Sequence, residues 1–285
     1  MVSIDDDIIQ FIKEMDELTK QGIFGNKPKM YAFLREKTDL NSFFIKVFTE
    51  WLQDDKQVGK DNVHKIIYLL LRLYYDAIVS NPEQAIKILA YFMNGFPNES
   101  ESDIVRPLYT WFESLNSWRN SLPTGSNPGD EYQVAQNSIS TYQKGVELVG
   151  KILPILICLK KLSMNQEFNP QKIYNKYLGP KIREFIKSFD DNKDYYFIIN
   201  QIDKDLRNAE SHLDLRYDRI RKKYIYIVDT KEGRKSKHIP AHIFLLKYFP
   251  NPGYVIQGYL FSLMLIVALG QTRISEFKKI FSSLK

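Results

Sequence analysis

The chain has little of what small cross-linked or metal-built folds are made from. It holds one cysteine in 285 residues, Cys158, which excludes an intramolecular disulfide framework and any cysteine-cluster metal site. Cys158 sits in the apolar run Ile155 to Leu159, where a free thiol behaves as a small core hydrophobe. Apolar runs of the ~20 residues that a membrane-spanning helix needs are also missing. The two longest cover roughly Val146 to Leu159 and Tyr254 to Leu269. Pro154 interrupts the first, and Gln257, Gly258 and Ser262 punctuate the second. Both read as buried core helices. The opening Met1-Val2-Ser3-Ile4 runs into Asp5, Asp6 and Asp7, which is not the pattern of a secretory signal. A cytoplasmic, reducing location with no membrane partner is the expectation.

Histidine is equally sparse, at four. His64 opens an apolar helical stretch and reads as structural. His238 and His242 have a metal-compatible spacing, but Pro240 lies between them and no carboxylate follows at a useful distance. No metal and no other cofactor is expected.

What the chain does have is enough for a sizeable core. Hydrophobic residues make up 44% and charged residues 26%, the balance of a soluble globular protein. The net charge of +6 is unevenly spread. Residues 1–125 hold 14 Lys and Arg against 18 Asp and Glu, whereas residues 126–285 hold 26 against 16. Such asymmetry suggests two units, the second better suited to a polyanion.

Helical periodicity dominates. Ile4, Ile8, Phe11, Ile12, Met15 and Leu18 recur at three- and four-residue steps. A second helix is predicted from about Met30 through Arg35, and a third, capped by Asp39 or Asn41, carries Phe43, Phe44, Val47, Phe48 and Trp51. His64 to Val79 follows, then Asn81-Pro82 opens a helix through Met93 and Ser102 or Asp103 opens one through Trp118. Residues 119–131 carry two prolines, two glycines and small polar residues, predicting an exposed loop. The expected division is therefore a helical N-terminal region over 1–118, a linker over 119–131 and a second helical domain over 132–285. In that second part, helices are predicted from about Glu131 to Leu162, broken or kinked near Pro154, from Asn169-Pro170 to Tyr177, over Ile182 to Phe189, and from roughly Tyr195 to His212. Tyr224 to Val228 is β-branched and aromatic and should pair with Arg234 to Ile239 as a hairpin. A last helix is predicted from about Tyr254 to Phe281. The class is all-α with one small β-hairpin near 224–239.

Chemistry concentrates at Leu206-Arg207-Asn208-Ala209-Glu210-Ser211-His212. On a helix Asn208 and His212 share a face, and Arg207 lies about 140° around from His212. Arg216, Arg219, Arg221, Lys222 and Lys223 follow, then Lys231, Arg234, Lys235 and Lys237, with Tyr217, Tyr224 and Tyr226 interleaved. Basic side chains can hold phosphates and tyrosine faces can stack bases. An imidazole titrating near neutrality can move the proton of a ribose 2′-hydroxyl, and a guanidinium can stabilise the charge that builds on phosphorus oxygens. One histidine cannot serve both faces of an in-line displacement, so a second copy from a two-fold partner would complete the site.

Arg207-Asn208 followed by His212 resembles the R-N-x-x-x-H signature of the HEPN ribonucleases, a family that includes abortive-infection and toxin proteins. The resemblance implies a helical bundle that dimerises and a composite site where two motif helices meet. It implies metal-independent endoribonuclease activity leaving 2′,3′-cyclic phosphate ends. Arg207 and His212 would be the catalytic pair and Asn208 the residue that orients them. RNA would be the substrate, with an antitoxin or other protein as a further partner. Arg216, Arg219, Arg221, Lys222, Lys223, Tyr217 and Tyr224 are the candidate RNA contacts, from charge and spacing. Two other readings stay open: a non-catalytic RNA- or nucleotide-binding module, and a helical scaffold that binds protein through its N-terminal half.

Overall fold

The structure, a computed structural model, describes residues 4–23, 28–54, 58–99, 102–123, 130–203, 206, 215–230 and 233–270. In chain order these include α1 (Ile4–Gln21), α2 (Pro28–Lys37), α3 (Leu40–Gln53), α4 (Lys60–Ser80), α5 (Pro82–Leu89), α6 (Tyr91–Asn94), α7 (Val105–Ser121), α8 (Glu131–Ser163), α9 (Pro170–Tyr174), α10 (Leu178–Ser188) and α11 (Tyr196–Ile199). Three strands follow: β1 (Arg216–Asp218), β2 (Lys223–Thr230) and β3 (Gly233–Pro240). The chain then enters α12 (Ala241–Ile243), which widens into a π-helical turn over Phe244–Tyr248, and α13 (Asn251–Gly270). The protein is mostly helical with one small antiparallel sheet, as the periodicity predicts.

Helix starts follow local chemistry. Asp39, Asn81 and Asn169 each accept a backbone N–H three residues on, and proline occupies the first turn after the latter two. Asp130 caps α8 by accepting the Tyr132 N–H.

Three long helices form the centre. α13 lies against α3, α4 and α8, α4 also packs on α8, and α7 runs along α8. Phe48 and Trp51 of α3 meet Phe261 at ring separations of 5.6 and 4.9 Å, and Phe92 meets Tyr259 at 5.7 Å. Inside this contact Ser262 Oγ donates to the Tyr259 carbonyl. Its proton is thereby committed, so Tyr74 Oη is the donor in the 3.1 Å bond to Ser262 Oγ. Residues before and after 119–131 thus share one core. The expected domain boundary is a connection between α7 and α8, which close against each other along their lengths. Ala241–Ala268 has the length and, in its most apolar window, the mean hydropathy (1.2) of a membrane-crossing helix, and 72% of that window is buried in the body.

Of the kink or break expected near Pro154, the break does not occur: α8 continues for 33 residues with Pro154 inside it. Proline has no N–H, so the carbonyl four residues earlier, that of Gly150, loses its helical partner. Lys181 of α10 supplies the replacement, its ammonium donating to Gly150 O at 3.2 Å. Lys181 is only 8% exposed, and burial first, then the charge of Lys151, lowers its pKa to about 8. Cys158, four residues past the proline, is buried. Burial pushes its thiol up, away from the reactive thiolate form.

Close approach of α13 to α4 depends on Gly258. A Cβ there would lie 2.5 Å from Ile66 Cγ2 and 2.9 Å from Ile66 Cβ. Gly258→Ala gains about 0.5–1 kcal/mol of helix propensity but must push the helices apart, at about 1–3 kcal/mol. We expect a net loss of stability, read as a lower urea midpoint. A raised midpoint would show that the α4–α13 spacing yields freely.

Candidate nucleic-acid interface

Arg207, Asn208 and His212 lie outside the described residues. The chain on either side is placed. Leu206, at 0% exposure, and Leu215, at 5%, are both sunk in the core. The approach to this segment differs from the single helix predicted over Tyr195 to His212. Asn192 caps a 3-10 turn at Lys193–Tyr195, α11 ends at Ile199, and Asn200 to Ile202 turn. Asp203 Oδ1 then accepts the Leu206 N–H at 2.8 Å, the bond of an N-cap, and Leu206 is helical again. The turn at Asn200 to Ile202 and the acceptor at Asp203 are signals that propensity summed across the segment does not reveal.

Beyond Leu215 the predicted hairpin gains a third strand. β1 pairs antiparallel with β2, and β2 with β3, in the order β1-β2-β3. The β1–β2 turn is built around Asp218, whose Oδ1 accepts the N–H groups of Ile220 and Arg221, each at 3.0 Å. Those bonds, the Arg221 N–H first, hold the Asp218 carboxyl below its usual range. Lys222 closes the turn at φ 50°, and its carbonyl accepts the Ala241 N–H at 3.2 Å. The signal for this extra strand was an Asx turn at Asp218.

Strand alternation sorts the candidate residues onto two faces. Tyr217, Tyr224 and Ile239 stand in one cross-strand row and are buried against the helical body. Tyr224, 1% exposed, stacks on Phe244 at 4.0 Å. Its hydroxyl meets Ser138 Oγ at 2.8 Å, and Ser138 in turn donates to Ala135 O. The expectation that Tyr217 and Tyr224 stack bases is corrected here, because both rings are buried in the core, on the face of the sheet turned to the helical body. Arg216, Ile225 and His238 form the row on the opposite face. Lys223 and Arg234 alternate onto that same face. Arg216, Lys223, Arg234 and His238 are all exposed. So are Arg219, Arg221 and Lys222 in the turn.

Two acids absent from the sequence expectation grip this turn. Lys222 Nζ pairs with Glu131 Oε2 at 3.0 Å, and Arg219 stands 3.9 Å from Asp130. Tyr217 Oη donates to Glu131 Oε1. The Tyr217 hydroxyl first, then Lys222, holds the Glu131 carboxyl below the ordinary value. Burial first, then Glu131, pushes the Tyr217 phenol up. The start of α8 therefore fixes where the basic turn sits. Among the described residues no three His, Cys, Asp or Glu side chains gather to hold a metal ion.

Tyr217→Phe removes the hydrogen bond that lowers Glu131. The Glu131 carboxyl should rise towards its ordinary value of 4.5, followed through its side-chain carbon resonance in an NMR titration. Because the folded pKa is the lower one, the bond's contribution is complete above the unfolded value and fades as pH falls through the folded one. The stability gap between wild type and Tyr217→Phe should accordingly narrow in acid. A gap that widens in acid contradicts the assignment.

Compared with family models, curated proteins and solved structures, the chain matches none.

Proposed function

We propose that this protein is a metal-independent endoribonuclease of HEPN type, acting as a homodimer in antiviral defence or as a toxin in the cytoplasm. The observation that supports the reading is where the described residues on either side of the Arg207-Asn208-x-x-x-His212 pattern lie. Leu206 before it and Leu215 after it are buried in the core, and Leu215 immediately precedes the exposed Arg216. His212 stands four positions before Arg216, a span of at most about 14 Å. An RNA strand held on the basic face through Arg216, Lys223 and the turn cations Arg219, Arg221 and Lys222 passes within reach of the histidine.

The chemistry follows from the residue types. His212 moves the proton of the ribose 2′-hydroxyl, the 2′-oxygen bonds to phosphorus, and the P–O5′ bond breaks. The leaving 5′-oxygen takes a proton from the second His212 of the dimer. Arg207 stabilises the negative charge on the phosphorane oxygens, and Asn208 orients the pair. The products are a 2′,3′-cyclic phosphate end and a 5′-hydroxyl end.

A structured RNA incubated with purified protein in EDTA tests this. Wild type should cleave, His212→Ala should lose at least about a hundredfold in rate, and a 2′-deoxy substitution at the cut site should block cleavage. The variant should retain most of its RNA affinity, since the exposed cations still hold phosphates. Equal cleavage by both proteins overturns the His212 role. Salt-dependent binding without turnover in either leaves the RNA-binding module, a reading that the exposed basic turn favours in its own right.

A further inference from the structure

Three helices bring a surplus of hydrogen-bond donors to one place, away from the motif. Lys151 of α8 and Lys181 of α10 both approach Tyr174, the last residue of α9. Lys151 Nζ lies 3.4 Å from the Tyr174 hydroxyl, and Lys181 Nζ lies 5.0 Å from the centre of its ring. Phe96 stacks on the same ring at 4.7 Å and fixes its plane. Lys181 is more than nine-tenths buried. Lys151 and Tyr174 are half-buried, so the cluster reaches solvent on their side.

An ammonium has three N–H groups and no acceptor. Lys181 gives one to Gly150 O, the carbonyl that Pro154 leaves open, and Lys151 directs one to the Tyr174 oxygen. A phenol oxygen that accepts from Lys151 has its own proton to give elsewhere. Apart from the Tyr174 ring that both ammonium groups face, the remaining ammonium protons and that hydroxyl proton meet no oxygen or nitrogen acceptor among the described residues. Neither lysine forms an ion pair there, whereas Lys160, Lys161 and Lys176 all do. Glu99, the carboxylate beside α9, is held by the side-chain amides of Gln171 and Asn175. Two cations, one of them deeply buried, thus stand together without a counter-charge, an arrangement that is costly unless an anion joins it.

We propose that Lys151, Lys181 and Tyr174 form a binding site for a small oxyanion, of the phosphate or phosphomonoester class, where α8, α9 and α10 meet. Two ammonium groups and a hydroxyl supply charge-assisted bonds to its oxygens. Bound there, the anion ties α9 and α10 to the central helix. Burial first, then the charge of Lys151, lowers the pKa of Lys181, and an anion beside it favours the protonated form. The site stands independently of the ribonuclease reading.

The test is isothermal titration of the full chain with inorganic phosphate and, separately, with adenosine 5′-monophosphate, at constant ionic strength in chloride. Phosphate should bind, and Lys151→Met should weaken it about tenfold, the loss of one charge-assisted hydrogen bond. Lys181→Met should abolish it. Lys151 is half-buried, so its variant keeps the assignment testable if Lys181→Met fails to fold. Tighter binding of the nucleotide assigns the phosphoryl group to a phosphomonoester, and equal or weaker binding assigns it to the free anion. Sulfate does not titrate in this range, so its binding should be accompanied by proton uptake at Lys181 at pH 8 and by none at pH 6.5, read from titrations in two buffers of different ionisation enthalpy. Binding of neither phosphate nor nucleotide, or binding that both lysine variants leave unchanged, overturns the proposal.

Discussion

Because the turns of α8 between Val146 and Leu159 are buried almost entirely, the neighbouring helices are arranged to cover its faces. α4, α13, α7 and α10 all pack against it. A helix buried all round carries little amphipathic signal to tell a neighbour which side to take. Specific contacts do that work instead. Small residues at Gly145 and Gly150 admit Trp111, Pro252 and Leu178 at close range, and the Lys181 ammonium locks α10 to the carbonyl opened by Pro154. One proline therefore determines both that α8 needs a donor from outside and where α10 must lie to provide it.

The sheet depends on the same helix. Its inward row of Tyr217, Tyr224 and Ile239 rests against the body, with Tyr224 between Phe244 and the Ser138 hydroxyl. With the aromatic rings drawn inward, alternation leaves Arg216, Lys223, Arg234 and His238 on the opposite face. Packing thus separates two residue types that are interleaved in sequence, core tyrosines and exposed cations. Asp130 and Glu131 set the basic turn in place through exposed ion pairs. Such pairs contribute little stability, so the buried rings carry the attachment and the acids fix the turn's position.

Several elements were legible because their signals are local. Caps at Asp39, Asn81 and Asn169 require only a side-chain acceptor and a following turn, and β2 announces itself through Tyr224 to Val228. The single helix expected over Tyr195 to His212 is interrupted, since α11 ends at Ile199 and Asn200 to Ile202 turn while the apolar spacing continues through that point. β1 is three residues long, too short for any periodicity, and depends on pairing with β2. Tyr217 and Tyr224 read as candidate RNA contacts in sequence because charge and aromatic content in one segment do not say which face each residue takes.

Composition and periodicity determined that this chain is helical with a small β excursion, that its single cysteine belongs to a core, and that its positive charge gathers between Arg216 and Lys237. These properties follow from residue types and their spacing along the chain. Only the tertiary structure decided that the two sides of residues 119–131 share one core, that α8 survives Pro154, and that Tyr217 and Tyr224 face inward. Each of those outcomes rests on a group distant in sequence: Phe261 against Trp51, Lys181 against Gly150, Ser138 against Tyr224. A hydrogen bond or ring contact across such separations is set by how the helices close on one another, and no local pattern encodes it.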